Sequence, residues 1–256
     1  MQPHERPRLA ATTAPLGDPR EACAYLSSLG VAGVQLSATQ SGMRPRELDA
    51  SARRDLRAML VRLGLVASGL DLWIPPDHFV DPLHAERAID AVRAACELAS
   101  FLGRAPVVLA LPARPEDAAH AARRDDVAAA LADAADLHGV RLAVGADVRA
   151  GLRAPPFGTL LDPAALLATG IDPAAAATQA AGEVVAARVV DQLRSGLRGP
   201  IGSRGDGRLD VLAYRIALEA SGFAGLPVID ARQWADPRGG VGQSVAAWTQ
   251  AMPSFG

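Results

Sequence analysis

The sequence predicts an α/β protein of the (β/α)8 barrel class, on three observations. Short apolar runs with β-branched residues alternate along nearly the whole chain with Ala-, Leu- and Arg-rich helical stretches. Glycines close the helical stretches at Gly30, Gly64, Gly103, Gly139 and Gly222, each just before the next apolar run, where a left-handed residue turns the chain. The 256 residues, half of them hydrophobic, suffice for one well-cored domain of barrel size. The expected organisation is a single domain over 1–256, with its core between about 8 and 251.

In chain order, strands are expected at about 8–15, 31–37, 65–73, 105–111, 140–146, 158–162, 184–191 and 226–230. Helices are expected between them at about 19–29, 50–63, 82–102, 116–138, 163–182 in two pieces, 209–221 and 242–251. Four are opened by an Asp-Pro pair, Asp18-Pro19, Asp81-Pro82, Asp162-Pro163 and Asp172-Pro173, with a carboxylate at the N-cap and proline in the first turn. One unit is irregular. Between Ala146 and Gly158 there is only "DVRAGLRAPPF", which predicts a shortened or missing helix between the fifth and sixth strands.

Composition removes whole classes of function. The chain has no lysine and no asparagine. Without an ε-amine, Schiff-base chemistry, pyridoxal phosphate attachment and a P-loop phosphate grip are excluded. All positive charge at pH 7 is therefore arginine, dispersed as in "RRDLRAMLVR" on a chain of net charge −2, which argues against nucleic acid as a partner. The run "APVVLALPA" is under half of what a bilayer demands, so no membrane partner is expected. The start "MQPHERPRLA" has no apolar core of a signal peptide, so the expected location is cytoplasmic. Cys23 and Cys96 stand alone in helical segments and suit buried packing.

Several stretches in order, "EACAYLSSLGVAGVQLS", "RAIDAVRAACELASFLG", "ALADAADLHGVRLAVG", "TLLDPAALLATGIDP", "ARVVDQLRSG" and "GPIGSRGDGRLDVLAYRIALEASGFAGLPVID", resemble the xylose isomerase-like TIM barrels, the sugar phosphate isomerases and epimerases. The resemblance implies a divalent Mn or Mg ion at the strand tips, held by a Glu, an Asp, a His and a second Glu, with the glutamates moving protons. Here the first glutamate position falls on Gly145, the aspartate is kept as Asp162, the histidine falls on Arg188, and the second glutamate is Asp230. Asp162 and Asp230 are the metal ligands and acid–base groups that remain, too few for a cation wanting six oxygens, so no tight metal or other cofactor is expected. If Asp162, Arg188 and Asp230 converge, a permanent cation stands where the resemblance puts the metal.

Other residues are candidates beside these. "DLWIPPDHFVDP" gathers Asp71, Trp73 and His78 after the third strand, able to stack on a sugar and to supply a titratable imidazole. It reads equally as a Pro-stiffened loop covering the rim. Arg204, in the glycine-rich "SGLRGPIGSRGDG", could add charge for a phosphate, although plain turns also explain that loop. Asp191, three residues after Arg188, matches the acidic residue of the resembled family's His-x-x-Asp segment. No serine-hydrolase elbow or HExxH motif occurs.

Two functions follow. The first is a sugar or sugar-phosphate isomerase or epimerase using Asp162, Asp230 and His78, with Arg188, Asp191, Trp73, Asp71 and Arg204 binding substrate. The second is a non-catalytic binding or regulatory barrel with a polar pocket around Arg188 and no metal. The partner in both is a small carbohydrate or sugar phosphate. Assembly as a homo-oligomer stays open.

Overall fold

The structure, a computed structural model, describes residues 7–149, 151–203 and 205–251. Its principal strands are β1 (Ala10–Thr12), β2 (Gly33–Ser37), β3 (Val66–Asp71), β4 (Val107–Val108), β5 (Leu142–Gly145), β6 (Phe157–Leu161), β7 (Val184–Val189) and β10 (Val228–Ile229). They close into a parallel barrel in the order β1-β10-β7-β6-β5-β4-β3-β2. Seven lie inside the predicted ranges and β6 begins one residue early. Two short strands after β7, β8 (Asp191–Gln192) and β9 (Arg198–Gly199), pair antiparallel.

The helices are α1 (Pro19–Ser28), α2 (Ala50–Arg62), α3 (Ala85–Phe101), α4 (Ala118–His138), α5 (Ala146–Arg149), α6 (Pro163–Ala168), α7 (Pro173–Gln179), α8 (Val211–Ala220) and α9 (Pro237–Gln250). The connection from β5 to β6 holds only α5, a single turn, as the short Pro-rich spacing predicts. The carboxylates of Asp18, Asp162 and Asp172 cap α1, α6 and α7 by accepting N–H bonds from the first turn. All five glycines predicted to end helices have positive φ; at Gly139, φ is 62° and the amide closes α4 on Ala135 and Asp136.

Two helix starts differ from expectation by three residues or more. α3 begins at Ala85 rather than 82, because the Asp81 carboxylate accepts the N–H of Leu83, two residues on, and closes a separate turn around Pro82. α9 begins at Pro237 rather than 242, because Asp236 caps it through the N–H of Gly239, a fourth Asp-Pro start beside those of α1, α6 and α7. The glycine pair there argues for a loop in sequence, but Gly240 is required by packing: a Cβ would sit 2.6 Å from Trp234 Cε3.

The chain groups into two compact parts. One comprises Met1–Gln35, Leu60–Ser68 and Leu161–Gly256, and buries Leu9, Leu26, Val189, Tyr214 and Ile229 completely. The other comprises Leu36–Met59 and Gly69–Leu160, and its core includes Leu70, Phe79, Leu98, Leu131, Leu142 and Phe157. Each such side chain contributes about 1.5–3 kcal/mol by leaving water. Cys23 and Cys96 are free and buried, and burial pushes their thiols up to about 11 and about 12, so neither supplies a ready thiolate. Among the described residues no helix is long and apolar enough to cross a membrane.

Candidate functional site

Asp162, Arg188 and Asp230 come together, all within Leu161–Gly256. Asp162 ends the β6 run and caps α6, its Oδ1 accepting the Ala165 N–H at 3.2 Å. Arg188 lies on β7, whose register sets it beside Val228 on β10, and Asp230 directly follows β10. Arg188 donates from Nη1 to Asp162 Oδ2 at 2.5 Å and holds Nε 3.4 Å from Asp230 Oδ2.

Two further arginines complete the cluster. Arg198, on β9, spans the two carboxylates, with Nη1 donating to Asp162 Oδ1 and Nη2 to Asp230 Oδ2, both at 3.1 Å. Arg232 forks onto Asp230, Nε to Oδ1 at 2.7 Å and Nη2 to Oδ2 at 2.9 Å, while its backbone N–H adds a 3.3 Å bond to Oδ1. Arg232 could have been sought from sequence, since it stands only two residues beyond Asp230, in the turn that follows β10. Arg198 had no such signal: the short β8–β9 hairpin, which sets it beside Gln192, folds it back to the site.

The electrostatics follow from this crowding. Burial opposes ionisation of Asp230, but Arg188, Arg232 and Arg198 together outweigh it and hold the carboxyl well below its ordinary value. Burial likewise opposes ionisation of Asp162, and Arg188 and Arg198 reverse it, leaving that carboxyl lowered too. Tyr214, wholly buried on α8, is pushed well above the ordinary phenol value by burial and then by the nearby Asp162 charge. Among the described residues its hydroxyl finds no hydrogen-bond partner. Three guanidiniums against two carboxylates leave one net positive charge.

These residues do not fit the divalent metal that the resemblance implies. All four carboxylate oxygens of Asp162 and Asp230 already accept N–H donors. A metal would have to displace guanidinium groups and sit against their charge. Gly145 ends β5, where a Cβ would lie 2.5 Å from Asp147 Oδ1. Among the described residues no group of three or more His, Cys, Asp or Glu side chains is placed to hold a metal.

The other candidates lie elsewhere. Asp191, on β8, is a loop anchor: its Oδ1 accepts the backbone N–H groups of Arg208 at 2.9 Å and Leu209 at 2.8 Å. Burial raises its pKa, with those backbone bonds acting in the opposite direction. Asp71 is the buried last residue of β3, its carbonyl accepting the Ala38 N–H. Trp73 is 61% exposed, and His78 sits in a short 3-10 turn, stacked on His84. Arg204 lies outside the described residues.

Residues 23–146 match the model of a family described as xylose isomerase-like TIM barrel, a match that ends before the arginine cluster begins. No curated protein matches the chain. Among solved structures, the chain is similar to a xylose isomerase domain protein from Planctomyces limnophilus, with 20% identity, TM-score 0.70, and coverage of 95% of this chain and 94% of that one. It is similar to the 3-keto-D-glucoside 4-epimerase of E. coli at 14% identity and TM-score 0.72, over 96% and 99% of the two chains. A third similar structure is a xylose isomerase-like TIM barrel protein from Mycobacterium smegmatis in complex with magnesium, at 16% identity and TM-score 0.70, over 95% of each chain. At these identities the likeness establishes the fold.

Proposed function

We propose that this xylose isomerase-like TIM barrel, matched to that family over residues 23–146, recognises a small carbohydrate or sugar phosphate with arginine in place of a metal. The observation that carries this reading is the saturation of both carboxylates by Arg188, Arg198, Arg232 and backbone N–H groups. The three arginine side chains remain partly exposed, at 15%, 22% and 24%, so a phosphate or carbonyl oxygen can approach their guanidiniums. The site's excess positive charge favours an anionic ligand over a neutral sugar. The proposed compartment is the cytoplasm.

Carboxylates held below their ordinary pKa are weak bases, so Asp162 and Asp230 are poor at abstracting a carbon-bound proton. The reading is therefore recognition first. Epimerisation, favoured by the names of the structures similar in fold, is the second reading and requires a different proton acceptor.

Thermal denaturation with sugar phosphates, in the presence of a chelator or of Mn²⁺, tests the proposal. The expected result is a ligand-dependent rise in Tm that is unchanged by the chelator and smaller in Arg188→Ala than in the unaltered chain. Stoichiometric Mn²⁺ of micromolar affinity would overturn it. Proton NMR in D2O tests the second reading, which requires deuterium to enter the sugar at carbon.

A further inference from the structure

Within the part of the chain that contains residues 69–160, a cavity of about 260 Å³ lies between the loop after β3 and one face of α3. His84, Arg87, Ala88 and Ala91 follow helical i, i+3, i+4, i+7 spacing and so form one continuous wall. The opposite wall is Trp73, Ile74, Pro75 and His78. It is a mixed surface: alanine methyls and an indole beside two imidazoles and a guanidinium.

Three features point to an occupant. Trp73 is 61% exposed, whereas Trp234 and Trp248 are 8% and 3%, so one indole is left in water at the edge of a cavity. An aromatic face so placed is suited to the C–H face of a sugar ring. The rings of His78 and His84 stack with centroids 4.4 Å apart at 31°, and His84 Nε2 lies 3.6 Å from Asp81 Oδ2, which fixes the pair at the cavity wall. Arg87 adds a permanent charge with a planar fork suited to phosphate. The volume is below the roughly 300–1,000 Å³ of drug-sized sites, which limits the guest to about one sugar ring.

We infer that this cavity is a binding site for the phosphate ester of a monosaccharide, its ring against Trp73 and its phosphate on Arg87 and the imidazole N–H groups. It shares a ligand class with the proposed function but rests on no residue of the arginine–aspartate cluster, and the two stand or fall separately.

Trp73 supplies the readout. Tryptophan fluorescence of the full chain is followed as D-ribose 5-phosphate is added, with D-ribose and inorganic phosphate as separate arms. The expected result is a saturable change with the ester, at least about tenfold weaker with either half alone. The change vanishes in Trp73→Phe. Calorimetric affinity falls at least about tenfold in Trp73→Ala and in Arg87→Ala, while Arg188→Ala retains it; circular dichroism confirms that each variant is folded. The inference is overturned by no saturable change, by a signal surviving Trp73→Phe, by inorganic phosphate matching the ester, or by Arg87→Ala binding normally. Loss of binding only in Arg188→Ala would move the ligand to the arginine cluster, leaving the proposed function standing and this inference not.

Discussion

Asp230 concentrates the risk at the site. Its side chain is 2% exposed and faces three guanidiniums, so Asp230→Asn leaves partly buried cations undercompensated while changing volume little. We expect a loss of about 3–5 kcal/mol in urea denaturation, the usual result of breaking one side of a buried ion pair. Asp162 and Asp230 both have folded-state pKa values below their unfolded ones. The stability they add is complete above the unfolded value near ~4 and is lost as pH falls through the folded values. Denaturation midpoints should therefore drop steeply below about pH 4, and the drop should be shallower in Asp162→Asn. At this scale the sequence was half legible. Asp162, Arg188 and Asp230 were readable because they lie in or directly after apolar strand runs and fall on the metal-ligand positions of the resembled family. Arg198 was not, because an antiparallel ribbon delivers it from outside any such run.

The ribbon of β8 and β9, with the loop that follows, is built around Asp191. Its Oδ1 is pinned by two backbone N–H groups, and a Cβ on Gly207 would fall 2.3 Å from its Oδ2. Neither side can give way easily. Gly207→Ala should cost about 1–3 kcal/mol, as overpacking does, and by disturbing the ribbon that carries Arg198 should also weaken ligand-induced stabilisation. Because the Asp191 pKa is raised in the fold, its contribution has the opposite sign to that of Asp162: present at low pH and lost as pH rises through the folded value. Asp236→Ala should cost about 1 kcal/mol by uncapping α9, measurable as a lower Tm. Most elements were legible because Asp-Pro starts and glycine stops are local signals. The two misplaced starts arose where one local signal competed with another: the Asx turn of Asp81 against its cap, and the glycines of α9 against Asp236.

For the molecule as a whole, the closed eight-strand order was legible from alternation alone, because a strand–helix–glycine unit repeated along a chain this long has few other ways to bury its apolar runs. What the chain does was less legible, because the resemblance names a chemistry whose residues are only partly here. The similarity in fold to one structure in complex with magnesium makes one test direct: adding a chelator, Mg²⁺ or Mn²⁺ to the purified protein should leave its Tm within about 1 °C, whereas a metal bound at 100 times its Kd would add about 2.7 kcal/mol of stability. The chain holds its positive charge on arginine alone, and the guanidiniums at its core cannot be stripped, swapped for a competing ion or deprotonated within any physiological range. A cell starved of manganese, or flooded with iron, would leave such a centre as it was.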